Sequence, residues 1–357
     1  MPADYIDWQR LCSPAQVELA RSNASAGKLT RQLHAIVGAC ILSALTLCPA
    51  LAQPTDAGVG ARSFEALPIV LVVPYAAGGA ASRVATVVAD ALSRSLQREV
   101  QTRHLEGRVG VGALDAVAAL SPAEIRLGYA TNTQLVEGTL FGSRDSYNAL
   151  RDFEWIGVIG TLPNAVVVGA KLGAPTFDDW VRGLPGQRPQ RWGVGARSSS
   201  GHFAAQFLAK AAGVNVELVT FLTADSAYDA LKNGEIDANF DLLPNALEET
   251  SRGGGRIIAV TSKARAAAAP SIAAFGERWP AEDFTSVAAL AIPLKESEEV
   301  RVRLRSAWFV TAQDPDTKRR LQAIGVTYSG ASLDAAREFV GAEFIRHTKL
   351  LTRFQSQ

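Results

Sequence analysis

Apolar and polar positions alternate along this chain in blocks of two kinds. Short continuous apolar runs, bounded by Gly, Pro or Asn, read as buried strands. They fall at Ile69–Val73, Val100–Leu105, Ile125–Ala130, Trp155–Val158, Ala165–Gly169, Arg191–Val194, Val216–Phe221, Ala238–Asp241, Ile257–Thr261 and Ala288–Ile292. Between them, apolar residues recur at helical spacing. Val84, Val87, Val88, Ala91 and Leu92 mark a helix from Ala80 to about Gln97, and a second spans Val111 to Leu120. Another starts near Ser200, carries Phe203, Phe207, Leu208 and Ala211 on one face, and stops at Gly213. A short helix from Ser226 to Asn233 has Gly234 in place to end it. The C-terminal part is mainly helical. Ser297 can cap a helix beginning Glu298-Glu299, Asp314-Pro315 opens one that ends at Gly325, and Ser332 opens the last. Alternating strands and helices predict an α/β protein built on parallel-rich sheets.

Two of the strand ends carry candidate chemistry. After Ile69–Val73 the chain reads Pro74-Tyr75-Ala76-Ala77-Gly78-Gly79 and enters a helix. Ligands bind at such places in open α/β sheets, because free N–H groups at a helix start favour anions. This loop has no nucleophile, metal ligand or phosphate-binding Lys, so it suits holding a ligand, not reacting with it. The second strand end, Gly193 to His202, offers Ser198, Ser199 and Ser200 before a helix. Its hydroxyls and N–H groups suit a carboxylate, and equally a capped turn. Asp241 closes a strand just before Pro244, where it can cap the next helix or face a cleft. Two enzyme readings are weak. The G-x-G-x-x-G pattern begun by Gly193 and Gly195 fails at Ser198, although Glu217 stands about where a ribose-binding acid belongs. Ser199 or Ser200 with His202 and Asp241 lacks the G-x-S-x-G elbow, because Arg197 replaces its first Gly. No catalytic residue and no cofactor are expected. His34, His104, His202 and His347 are too scattered for a metal site. Glu248-Glu249 and Lys318-Arg319-Arg320 read as solvated helix faces.

The N-terminus bears on location. Lys28 and Arg31 precede an apolar stretch from Ala35 to Leu47, and Ala50-Leu51-Ala52 supplies a small-residue cleavage site before Gln53. This is the pattern of a secretory signal peptide, with cleavage expected after Ala52. The residues before Lys28 are unusual for a signal, and Met1 is the single methionine, which suggests a start site set too far upstream. Cys12, Cys40 and Cys48 all fall in this leading region, so the mature chain would hold neither disulfides nor zinc–cysteine sites. Lipidation at Cys40 is disfavoured, since too few apolar residues precede it and too many follow. Gln53–Ala66 is aperiodic and reads as a flexible lead. The remainder, about 300 residues, suffices for two domains. A formal net charge of +1, with no basic tract interleaved with aromatics, argues against nucleic acid. No later apolar run is long enough to span a bilayer.

From Pro68 to Leu350 the chain resembles the periplasmic receptors of tripartite tricarboxylate transporters, the Bug family. The marks are Pro74–Gly79, Asn148-Ala149-Leu150-Arg151-Asp152-Phe153, Gly195–His202, Asn233-Gly234-Glu235-Ile236-Asp237, Phe240-Asp241-Leu242-Leu243-Pro244 and Ala259-Val260-Thr261-Ser262, in order and at matching spacing. The resemblance implies a two-lobed periplasmic-binding-protein-like fold of type II, with a ligand cleft between lobes made of residues 67–164 plus 290–357 and 165–289. The crossings would be Ala165–Gly169 and Ala288–Ile292. It implies a small carboxylate ligand held by Tyr75, Ala76, Gly78, Gly79, Ala80 and Ser82, by Ser198, Ser199, Ser200 and His202, and by Asp241, with Thr131 and Asn132 lining the cleft. The expected protein is a monomer that serves the membrane subunits of a transporter or, alternatively, a sensor protein. Several positions depart from the family. Ser82, followed by Arg83, stands where an Asp is usual; Ala288 and Ala289 replace an aromatic pair; and Thr220-Phe221-Leu222-Thr223 replaces Pro-Tyr-Lys-Gly. These changes imply a larger or more apolar ligand, or a degenerate receptor.

Overall fold

The computed structural model describes residues 64–107, 110–142, 146–170, 173, 176–184 and 188–355. The expected signal peptide and most of the lead lie outside them. From Leu67 onward the chain is one unit by its internal contacts.

β1 (Ile69–Val73) is buried along its whole length, as its unbroken apolar run requires of a strand covered on both faces. It leads through α1 (Ala80–Leu96) to β2 (Val100–His104), then α2 (Val111–Ala118), β3 (Ile125–Ala130), α3 (Asn132–Leu140) and β4 (Phe153–Val168). There follow α4 (Phe177–Gly183), β5 (Gln190–Val194), α5 (Ser200–Ala212), β6 (Val216–Thr220), α6 (Ala224–Asn233), β7 (Ala238–Leu242) and α7 (Leu243–Ser251). The chain continues with β8 (Arg256–Val260), β9 (Ala273–Ala274), α8 (Phe275–Arg278), β10 (Thr285–Pro293), α9 (Glu298–Thr311), α10 (Pro315–Ala323), β11 (Thr327–Ser332) and α11 (Leu333–Gln355).

The main strand order is β2-β1-β3-β10-β4-β7-β5-β6. β1 pairs in parallel with β2 and β3, and β5 pairs in parallel with β6 and β7. β4 joins the two parallel sets. Residues 153–163 pair antiparallel with β10, and residues 164–168 with β7 and β8.

β4 is longer than the sequence suggests. Two strands, Trp155–Val158 and Ala165–Gly169, were expected because Gly160, Pro163 and Asn164 look like loop residues. They form one strand. Pro163, which has no N–H to donate, sits where the partner changes from β10 to β7, so its missing donor falls at a ladder end. The exchange therefore comes at Pro163–Asn164, slightly ahead of the expected crossing. Ala288–Ile292 lies wholly within the ladder with β3 and the first part of β4. The return passes instead through Phe284, whose N–H donates to Thr261 O (3.0 Å).

The sequence reading also passed over α3, α4 and β11. α3 is short, but its Thr131-x-x-Gln134 start forms a capping box. β11 contains Gly330 and pairs with β4 through a register shift, which hides its alternation. α6 starts two residues before Ser226, because Thr223 accepts from the Ser226 N–H. α9 lies close on β4, where Gly157 leaves room for the Trp308 indole. Around α5 the core is aromatic: Phe203 stacks on Phe354 (5.6 Å), and Phe207 packs against Phe284 and Trp279.

Candidate functional site

The two loops singled out in the sequence share one plan, a parallel strand followed by a turn and a helix. In the first, Gly78 adopts φ +86 and Gly79 is the N-cap of α1, with no side chain capping the first N–H groups. A Cβ added at Gly78 or Gly79 would meet nothing within 4 Å. The loop thus presents bare backbone donors to open space, an arrangement suited to an anion.

Tyr75, at the base of this loop, hydrogen-bonds through its hydroxyl with Thr131 Oγ1 (2.9 Å) and accepts from Gln134 Nε2 (3.1 Å). This brings the first loop and the start of α3 together. His104, at the end of β2, bonds Tyr75 O through Nδ1 (2.8 Å). A carbonyl can only accept, so the proton is on Nδ1, and Nε2 accepts from the Ser82 hydroxyl (3.3 Å). Ser82, the residue in place of the usual Asp, is therefore buried against His104.

Asn132 faces another way. Its Oδ1 accepts from the Val287 N–H (2.7 Å), and its Nδ2 donates to Glu343 of α11. Arg346 completes the cluster by bonding Glu343, Asp283 O and Thr285 O. Asn132 thus ties α3 to β10 and α11, a role that its place after β3 does not reveal.

In the second loop Ser198 takes φ +64, the counterpart of Gly78, and Ser199 is the N-cap whose side chain accepts from the His202 N–H (3.2 Å). His347 donates through Nε2 to Ser198 O (2.9 Å). Asn164 Nδ2 donates to Ser200 Oγ (3.0 Å) and to Phe284 O (2.8 Å), and Thr261 Oγ1 accepts from the Asn164 N–H. Asn164 so ties the start of α5 to both passages of the chain between the two strand sets.

His202 does not meet Tyr75, Thr131 or Asp241. It lines a cavity of about 280 Å³ with Arg197, Ser198, Phe203, Gln206 and Phe354. Burial, and then the nearby Arg197 charge, lower its pKa to about 4, so it is a neutral imidazole near pH 7.

Asp241 is the last residue but one of β7, level with Ala165 of β4. Its Oδ1 accepts from the Leu242 N–H (2.7 Å) and from Asn245 Nδ2 (3.0 Å). Burial raises its pKa to about 6, against the lowering effect of those hydrogen bonds and of Arg83. Arg83 reaches across from α1 to α7. It donates to Gly78 O (2.7 Å), Asn245 Oδ1 (2.7 Å) and Glu248. Glu248 and Glu249 are accordingly not both solvated: Glu248 holds Arg83, and Glu249 is buried.

Arg83, Asn164, Gln134, His104 and Asn245 were not picked out as site residues. A lone Asn in the apolar stretch Leu162–Val168 and the Thr-x-x-Gln spacing were legible signals for two of them. Ala288 and Ala289 are fully buried within the ladder. Among the described residues no group of three or more His, Cys, Asp or Glu could hold a metal ion.

Comparison with known proteins agrees with this architecture. A curated protein of Agrobacterium vitis, from the intergenic region of ttuE and ttuC', is 27% identical over 293 residues, covering 80% of this chain and 81% of its own. Protein BugT of Bordetella pertussis is 24% identical over 320 residues, covering 88% of this chain and 95% of its own. Among solved structures, Rpa4515 of R. palustris with adipate superposes with a TM-score of 0.71 at 24% identity, covering 81% of this chain and 98% of that one. MatC of Rhodopseudomonas palustris with bound malate gives 0.68 at 17% identity, covering 81% and 100%. The periplasmic binding protein BugD gives 0.70 at 19% identity, covering 80% and 97%. At these identities the structures establish the fold, which is that of periplasmic binding proteins. The family described as "Tripartite tricarboxylate transporter family receptor" matches residues 84–355, beginning one residue after Arg83. A match over that much of the chain settles its membership: this protein belongs to the family of periplasmic receptors of tripartite tricarboxylate transporters.

Proposed function

We infer that this receptor captures a small organic acid in its carboxylate form and delivers it to the membrane subunits of a tripartite transporter. The observation that carries the reading is the first loop. In a chain of this receptor family, a helix start with no side-chain cap opens onto free space beside Gly78 and Gly79. Backbone N–H groups there bind one ligand carboxylate. Thr131, Ser200 and Asp241 supply the remaining polar contacts. Two structural neighbours hold dicarboxylates, adipate and malate, which supports the same ligand class here. Residues 67–164 with 290–357 and residues 165–289 act as two lobes that close over the ligand as a monomer, with β4 as one crossing. Closure is a population shift, driven by ligand contacts that only the closed state makes. The protein reaches the periplasm through the signal peptide ending at Ala52.

Thermal unfolding against a panel of carboxylates, amino acids and aromatic acids tests this. A ligand at a hundred times its dissociation constant stabilises by about 2.7 kcal/mol, which for a chain of this size is a shift of several degrees, at roughly 2–4 °C per kcal/mol. A shift confined to carboxylates is the expected result. No shift with any carboxylate would overturn the reading.

A further inference from the structure

The Gly78 carbonyl and the Gly79 N–H belong to one peptide unit, and in a trans peptide they point to opposite edges. Between two glycines such a unit has little steric reason to keep one orientation. Here it is held by Arg83, whose Nη1 donates to Gly78 O (2.7 Å). The carbonyl is taken up by the guanidinium, so the Gly79 N–H faces away from it, among the bare donors of the helix start. A cation on the carbonyl also polarises the unit and makes that N–H a stronger donor.

Arg83 is not fixed by its own helix. Its other partners are on α7: Nη2 donates to Asn245 Oδ1 (2.7 Å), and Nη1 donates to Glu248 as well. On the two-lobe reading α1 and α7 fall in opposite lobes, so these bonds cross the cleft. Moving the lobes apart takes both α7 partners away and leaves the guanidinium one carbonyl. That is too little to immobilise a long side chain already 26% exposed. Separation nevertheless strands no charge, because Glu248 also binds Arg252, one turn further along α7. A pair whose acid keeps a second partner can open and re-form without leaving a bare carboxylate.

Resting on that two-lobe reading, we propose that Arg83 is a positioning residue that links closure to the ligand loop. With α7 in reach, it holds the Gly78–Gly79 peptide with its N–H toward the ligand, and the same bonds bias the ligand-free receptor toward the closed form. The chain departs from its family at this place. Ser82 stands where an Asp is usual and turns to His104, so the charge beside the loop is that of Arg83.

Two measurements on the whole chain, with no acid added, test this. Spin labels at Glu106→Cys and Leu222→Cys report the lobe separation once Cys12, Cys40 and Cys48 are changed to Ser; both sites are exposed, just beyond the ends of β2 and β6. Glycine labelled with 13C at the carbonyl and 15N at the amide selects Gly79, Gly254 and Gly255, the glycines that follow a glycine. In the wild type the shorter distance should dominate. In Arg83→Gln and in Glu248→Ala the closed-to-open ratio should fall roughly fivefold or more. The double variant should open no further than either single one, because the two act as one pair. Arg252→Ala, which leaves Glu248 to Arg83, should keep or raise the closed share.

The Gly79 amide signal should move in Glu248→Ala, although the Glu248 side chain bonds to Arg83 and Arg252 and not to the loop. A purely structural role for Arg83 would lower the unfolding midpoint of Arg83→Gln and leave the Gly79 signal of Glu248→Ala where it was. A wild type that is mostly open would overturn the proposal, as would an unchanged distance distribution in both variants or an unmoved Gly79 signal. The wild-type distribution needs no variant at 83 or 248 to fold. The receptor reading is judged separately, by the carboxylate panel: a chain that binds carboxylates but shows no shift in distance loses this link and keeps its ligand class.

Discussion

The loops at Gly78–Gly79 and Ser198–Ser199 are built on the same plan and do opposite things with it. Each turns through a positive φ, at Gly78 (+86) and at Ser198 (+64), and each is followed by an N-cap and a helix. In the first, glycine supplies the turn at no steric cost and the helix start is left uncapped. In the second, an L-residue is held in the left-handed region while Ser199 caps the helix and His347 and Asn164 take up the remaining groups. The first loop has carbonyls that accept from Arg83 and His104, but no side chain caps its helix start. The second caps its own helix, and its bonds to His347 and Asn164 fasten α5 to α11 and to β4. A strand–turn–helix unit is therefore no evidence of a ligand site until its donors have been accounted for.

The largest effect that would break this comparison lies in the first loop. In Gly79→Val the new side chain enters space where it meets nothing, so the fold should survive while approach to the N–H groups is blocked. Affinity for the tightest-binding carboxylate should fall at least a hundredfold, about 2.7 kcal/mol, as read by calorimetry. Retained affinity would show that the ligand does not approach this loop.

Acid should act on the second region. Burial, reinforced by Arg346, lowers the His347 pKa to about 3. Below the ordinary histidine value the unfolded chain takes up a proton that the native state refuses, so stability is lost as pH falls from about 6.5 toward 3. At pH 5 the loss from this residue is about 2 kcal/mol. His347→Gln, which can still donate to Ser198 O, should flatten the dependence of the unfolding midpoint on pH between 7 and 5. An equally steep profile would count against His347 as its source.

Asp241 should show the reverse sign. Its raised pKa means the folded state binds the proton more tightly than the unfolded one, so stability is lost as pH rises from about 4 through 6. Asp241→Asn should stabilise the ligand-free protein by about 1–2 kcal/mol at pH 8, with the gain shrinking as pH falls and disappearing near pH 4. Denaturant titrations at the two pH values measure this. A loss of stability at pH 8 would mean that the ionised carboxylate is better compensated than its contacts indicate.

The smallest effects sharpen the contrast between the caps. Ser199→Ala removes the bond to the His202 N–H and should cost about 1 kcal/mol of stability, chiefly through the helix and not through the ligand. Ser198→Gly should relieve the left-handed backbone and stabilise by up to about 1 kcal/mol. Destabilisation instead would show that the Ser198 side chain contributes more than its backbone strain costs.

Local pattern carried far on this chain. The apolar runs and helical spacings located β1, β3, β5, β7, α1 and α5, because periodicity and burial are recorded residue by residue. Gly78–Gly79 was legible as the turn into α1 for the same reason: a strand end, two glycines and a helix start are contiguous. The order and spacing of separate segments carried the family. What the sequence could not display were the partners. Asn132 and Thr131 are neighbours in the chain, yet one secures β10 and α11 while the other meets Tyr75. Whether Asp241 caps a helix or faces a cleft was undecidable from its neighbours. Arg83, 158 positions earlier, settles how it is held, through an amide on another helix. Pattern determines which segments form elements and which face is buried, because that depends on neighbours along the chain. Which polar groups are satisfied and which remain open depends on donors that only folding brings within three ångströms, and so belongs to the tertiary structure.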